Sequence, residues 1–169
     1  MTRHGRTFRP ARLVALAGAL GLLAASCGGG SAASGPSAVT VSDAAGAAVR
    51  VADIADGPLV VNLWATWCPP CVGEMPAFDE VAADPPVEGV SVVGVNVGDE
   101  ASAATAFAAD LGVSYPQYTD PDGRLSAALS VSALPATAFF AADGTLVNVH
   151  SGAFTADELR AAIIDEFGT

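Results

Sequence analysis

The chain of 169 residues carries 18 acidic side chains against seven arginines and no lysine, a formal charge of −11. A surface this acidic repels nucleic-acid phosphates and anionic lipid headgroups, so neither is an expected partner, and it favours solubility. The length suits a single domain behind a targeting segment.

Arg3, Arg6, Arg9 and Arg12 precede an uncharged stretch of Leu, Ala, Val and Gly over residues 13–25. This is the pattern of a secretory signal peptide, here residues 1–26. Thirteen helical residues rise roughly 20 Å, well short of the ~30 Å hydrocarbon core, so a cleavable segment is expected rather than a permanent span. The ending Leu23-Ala24-Ala25-Ser26-Cys27 resembles a bacterial lipobox, with Ala24 where Leu is commoner. The resemblance implies a lipid on Cys27 and anchorage to the cell membrane on its extracytoplasmic side, with a soluble secreted protein as the alternative. Removing residues 1–26 deletes four arginines and no acid, taking the formal charge from −11 to −15. Residues 27–37 form a tether of small residues and one proline, with a reach of about 35 Å when extended. The working domain is residues 38–169.

Within it, strand and helix signals alternate. Residues 39–42 and 49–51 flank DAAGAA as an added hairpin, and the apolar run 59–64 suits a strand buried on both faces. A helix is expected from about residue 68 to 81, kinked at Pro76. Residues 90–97 form the next buried strand and 101–111 the next helix. Asp120-Pro121-Asp122-Gly123 marks a turn, followed by a short helical segment over 125–129. Residues 137–141 and 146–150 flank Ala142-Asp143-Gly144-Thr145 as a hairpin, and a final helix over 155–167 opens with a capping box of Thr155 and Glu158. Parallel strands joined through helices and completed by an antiparallel hairpin give a mixed-sheet α/β domain.

The chemistry concentrates in Asn62 to Cys71, NLWATWCPPC. A bridge between Cys68 and Cys71 closes too short a loop to stabilise much by restricting the unfolded chain. Zinc needs about four ligands, whereas the domain has two cysteines and His150, so no metal is expected. A CxxCH haem-attachment site is excluded by Val72. Redox work remains, with the Cys68–Cys71 disulfide as the redox group and no separate cofactor. Cys68 directly precedes a helix, whose free N–H groups and dipole stabilise a thiolate and lower a cysteine pKa of ~8.5 into the range of about 3.5 to 7.5. Pro69 and Pro70 suit the first turn but remove two of those donors, so a mild oxidant is expected. Cys71, one turn further in, is the resolving thiol.

WATWCPPC with Pro76 five residues after the second cysteine, DPDGR, and LPAT at residues 134–137 closely resemble the thioredoxin superfamily, in its membrane-tethered TlpA/ResA/DsbE-like branch. The resemblance spans about residues 39–167. It implies a thioredoxin-like mixed sheet flanked by helices, with an added N-terminal hairpin, and extracytoplasmic thiol–disulfide exchange with protein substrates. It also implies a cis Leu134–Pro135 bond facing the disulfide, with the backbone at Leu134 open to an incoming substrate strand.

Classical thioredoxins bury an aspartate where this chain has Asn62, which cannot titrate, so the proton of the resolving thiol needs another acceptor. Glu74, three residues after Cys71 on adjoining helix surface, matches a glutamate of the ResA-like branch and would act as a base if desolvated. Trp67, with Pro69 and Pro70, is expected to face substrate and screen the thiols from water. Trp64 is expected in the core with Phe78, Phe107, Phe139 and Phe140, and His150 on the surface. By resemblance, a natural client is an apocytochrome c with haem-attachment cysteines to be reduced, electrons coming from a membrane thiol carrier to a monomeric protein. A disulfide-donating folding oxidase is the alternative. Copper delivery of the Sco type requires three residues between the cysteines rather than two, and a peroxidatic cysteine motif is absent.

Overall fold

A computed structural model describes Met1, Thr2 and residues 35–168; the rest of the leader, the lipobox and Cys27 lie outside the described residues. The described residues form a seven-stranded mixed sheet. The strands are β1 (Thr40–Ser42), β2 (Ala48–Arg50), β3 (Leu59–Trp64), β4 (Ser91–Val97), β5 (Gln117–Asp120), β6 (Ala136–Phe140) and β7 (Leu146–Ser151). They lie side by side in the order β2-β1-β5-β4-β3-β6-β7. The helices are α1 (Pro69–Ala83), α2 (Ala101–Leu111), α3 (Arg124–Ala128) and α4 (Ala156–Phe167).

β3, β4 and β5 run parallel, while β6 pairs antiparallel with β3 and β7 with β6. Two successive crossovers step the same way along the sheet, β3 through α1 to β4 and β4 through α2 to β5. With the usual right-handed sense, this puts α1 and α2 on one face. The connection from β5 returns through α3 to β6, and Leu125 of α3 packs on the other face. Burial follows this layout. Val60, Trp64 and Phe139 pack with Met75 and Phe78 of α1, Ala104 and Ala108 of α2, and Leu159 and Ile163 of α4. Val61, Leu63, Val95, Ala138 and Phe140 point the opposite way onto Leu125 and Leu129. All six residues of β3 are buried, which is why that stretch shows no polar alternation.

The expected hairpin forms, and β1 also pairs with β5 at Ser42 and Thr119, so it extends the sheet instead of standing apart. Val51, read as the end of a strand, instead starts a 3-10 turn over Val51–Asp53. β5 was not legible in the sequence: Gln117-Tyr118-Thr119-Asp120 is short, polar and followed at once by a Pro-Asp-Gly turn. Its last residue serves two structures, because the buried Asp120 carboxylate accepts from the backbone N–H groups of Arg124 and Leu125 and so starts α3. Pro76 lies inside α1 as expected. The α4 capping box forms in full: the Thr155 hydroxyl accepts from the Glu158 amide, and the Glu158 carboxylate accepts from the Thr155 N–H.

Candidate active site at the start of the first helix

β3 ends at Trp64 and the chain reaches α1 through a single turn, closed by the Cys68 N–H donating to the Ala65 carbonyl. Asp99, in the loop after β4, holds that turn. Its carboxylate accepts from the Thr66 backbone N–H at 2.8 Å, the Thr66 hydroxyl at 2.9 Å and the Asn96 amide at 2.8 Å. These three donors outweigh its partial burial and keep its carboxyl below the usual aspartate range. Cys68 is thereby delivered as the N-cap of α1 in extended conformation, with Pro69 and Pro70 filling the first helical positions.

Cys68 and Cys71 are joined as a disulfide. Because both prolines lack an N–H, the first helical amide able to serve Cys68 is that of Cys71, and it donates to Cys68 Sγ at 3.4 Å. Cys71 is fully enclosed, while Cys68 keeps 4% of its surface. An attacking group therefore meets Cys68 first, and Cys71 is the inner thiol.

The Leu134–Pro135 bond is cis. Leu134 packs against the core cluster that includes both cysteines. It also shares with Trp67 a groove of about 190 Å³, completed by Val97, Ser126, Val131, Ser132 and Ala133. Trp67 is 66% exposed, so it borders this groove as an apolar plate open to solvent and forms no part of the core. Pro69 and Pro70 are exposed beside it. Trp64 is wholly buried, and its indole N–H donates to Gln117 Oε1 at 2.9 Å.

Glu74 is 3% exposed, beneath the disulfide turn. Burial pushes its carboxyl up from 4.5 to about 7, against the opposing pull of two donors. These are the Phe154 backbone N–H, 2.9 Å from Oε2, and the Asn62 side-chain amide, 2.7 Å from Oε1. The desolvation that the sequence argument required of Glu74 is therefore present, and Glu74 sits one helical turn from Cys71. Asn62, expected only as a residue unable to titrate, is one of its two partners. Tyr115 in turn donates to Asn62 Oδ1 at 3.1 Å. His150 is not simple surface: it is half-buried on β7 and stacks on Phe154 with ring centres 4.0 Å apart. Sequence reasoning missed Asp99, Tyr115 and Phe154 as parts of this region, since each reaches it from a loop far along the chain.

The Redoxin family model matches residues 30–163. The chain belongs to the Redoxin family. It is a thioredoxin-superfamily protein of the TlpA/ResA/DsbE-like type. It is 33% identical to "Thiol-disulfide oxidoreductase ResA" of Bacillus subtilis over 67% of this chain, and that alignment spans 63% of the relative's own length, a little under two thirds. It is 32% identical to "Soluble secreted antigen MPT53" of Mycobacterium bovis, over 73% of this chain and 72% of that one. Among solved structures it resembles MTB dsbF in mixed oxidized and reduced forms, with a TM-score of 0.70, 30% identity, and coverage of 79% of this chain and 98% of the other. The fold is thioredoxin-like.

Proposed function

We propose that this protein is an extracytoplasmic thiol–disulfide oxidoreductase that uses Cys68 and Cys71 to exchange electrons with cysteines of other proteins. The observation that carries the reading is the disulfide at the head of α1, with Cys68 keeping a sliver of exposure and Cys71 fully enclosed one turn from a buried carboxyl poised near neutrality. In the reducing direction, the Cys68 thiolate attacks a client disulfide. A bond forms from Cys68 Sγ to one client sulfur, and the other client sulfur leaves as a thiolate. Cys71 then gives its proton to Glu74 and attacks Cys68 Sγ, releasing the second client thiolate and restoring the Cys68–Cys71 disulfide. Two electrons pass to the client and none are lost. Glu74 must be ionised to accept that proton, so the resolving step quickens as pH rises through about 7.

Trp67, Pro69, Pro70 and the segment around Leu134 and cis-Pro135 form the client-facing surface in this reading. It is supported by the groove that Trp67 and Leu134 share. The leader and Cys27 suit a lipoprotein held at the outside of the cell membrane, working as a monomer with a membrane thiol carrier as electron donor and apocytochrome c as one client. The reverse flow, disulfide donation to secreted proteins, uses the same atoms and is separated by the reduction potential. Replacing Cys71 by serine removes the resolving thiol, so Cys71→Ser is expected to trap clients as mixed disulfides on Cys68, which Cys68→Ser does not. Equal trapping by both variants, or by neither, would contradict these roles.

A further inference from the structure

Glu74 lies at the end of a chain of hydrogen bonds whose direction is fixed at both ends. An indole N–H can only donate, and an ionised carboxylate can only accept. Trp64 Nε1 donates to Gln117 Oε1, which turns the Gln117 amide N–H toward Tyr115. That amide bonds the Tyr115 carbonyl oxygen at 3.2 Å and also the Tyr115 side chain. With its oxygen served by Gln117, the Tyr115 hydroxyl donates onward to Asn62 Oδ1 at 3.1 Å, leaving Asn62 Nδ2 to donate to Glu74 Oε1 at 2.7 Å. Trp64, Tyr115, Asn62 and Glu74 are all buried. Gly94 makes the route feasible, since the Gln117 amide occupies the space that a side chain at position 94 would fill. Among the described residues the hydroxyl of Thr137, opposite Asn62 across the β3–β6 pair, has no hydrogen-bond partner, so it does not hold the Asn62 amide.

We propose that Tyr115 is a positioning residue: by fixing which way round the Asn62 amide sits, it presents Glu74 with a donor in both protonation states. Its consequence for catalysis rests on the reading of Glu74 as the acceptor of the Cys71 proton. A carboxylate gains from an N–H donor, whereas a carboxylic acid gains more from an acceptor. An unlocked Asn62 turns its Oδ1 toward the acid form and holds the proton on Glu74. The lock prevents this, so Glu74 sheds the Cys71 proton after each turnover despite its burial. Tyr115 itself is anchored from α1, where Asp79 accepts from the Tyr115 and Ser114 backbone N–H groups.

Titratable groups around Glu74 come from several elements. On α1 they are Cys71 and Asp79, and the segment before β5 brings Tyr115. From β7 and α4, His150 stacks on Phe154, and Glu158 lies near His150. Asp79 and Glu158 are held below the normal carboxylate range by their own donors, so both are already ionised where Glu74 titrates.

The test is carboxyl-carbon NMR titration of Glu74 in the full-length oxidised protein and in Tyr115→Phe. The variant is expected to raise the Glu74 midpoint by about one pH unit, a tenfold gain in proton affinity, the size of one hydrogen bond changing sides. A midpoint unchanged or lowered overturns the proposal. The wild-type protein supplies an independent measurement should the variant fold poorly. The Asn62 side-chain N–H resonances are expected to stay hydrogen-bonded throughout the Glu74 transition, and an amide that turns over with protonation overturns the lock. The pH profile of thiol exchange in Glu74→Gln judges the acceptor role separately. A profile identical to wild type removes that role, while the carboxyl titration still decides what Tyr115 does.

Discussion

Replacing Glu74 by glutamine exposes what the buried carboxyl costs the fold. In the unfolded chain the group titrates near 4.5, and in the oxidised fold near 7. Between those values the native state keeps a proton that the unfolded state has lost, so stability falls as pH rises through this window. The contribution of the protonated Glu74 is fully present below about 4.5 and fully lost above about 7. A difference of about 2.5 pH units at ~1.36 kcal/mol each makes this roughly 3 kcal/mol. Glutamine removes the titration but offers one acceptor oxygen to two donors, Asn62 Nδ2 and the Phe154 N–H, and so adds a pH-independent loss of about 1–3 kcal/mol. Urea unfolding of oxidised wild type and Glu74→Gln from pH 4.5 to 8 separates the two effects. The variant is expected to be the less stable protein at pH 4.5 and to close or reverse the gap by pH 8, with the difference changing by about 3 kcal/mol. Parallel stability curves would refute the reasoning, because they would mean that Glu74 titrates alike in both states.

Two further perturbations separate the surface of the site from its support. Trp67→Ala removes a side chain that is 66% exposed, so stability is expected to hold within about 0.5 kcal/mol. Exchange with a protein disulfide should fall about tenfold while exchange with glutathione changes far less, as stopped-flow fluorescence would record. Asp99→Ala strips Thr66 and Asn96 of their common acceptor and is expected to cost about 1–3 kcal/mol in urea unfolding. It should also slow alkylation-detected reduction of the disulfide, because the turn that presents Cys68 is released.

Much of this architecture is written locally in the chain. The uninterrupted apolar run of β3 and the Thr155–Glu158 box announce their elements because the signal lies within a few consecutive residues. The Cys68-Pro-Pro-Cys71 start of α1 does the same, since cysteine spacing, prolines and helix onset are all local. β5 was hidden because its pairing partners β1 and β4 supply its order, while its own four residues carry little apolar signal. In the site, Glu74 could be suspected from its spacing to Cys71. What raises its carboxyl is burial, which outweighs the opposing Asn62 and Phe154 donors, and that enclosure arises from the sheet register and from the segment entering α4 folding back 80 residues later. Asp99 and Tyr115 are ordinary polar and aromatic residues in loops, and only the packed chain brings them to Thr66 and Asn62. His150 fell on a strand that reads as an edge, and its stacking on Phe154 depends on the turn into α4.

The central claim is that Cys68 and Cys71 form a reversible pair that other proteins can reach. Equilibrating the protein with glutathione mixtures and counting alkylated thiols at each ratio tests it most directly. The account predicts one two-electron transition, abolished by serine at either position, with Cys68 labelled before Cys71 once the pair is reduced. Thiols that resist alkylation after reductant treatment, or a transition that survives loss of either cysteine, would contradict it.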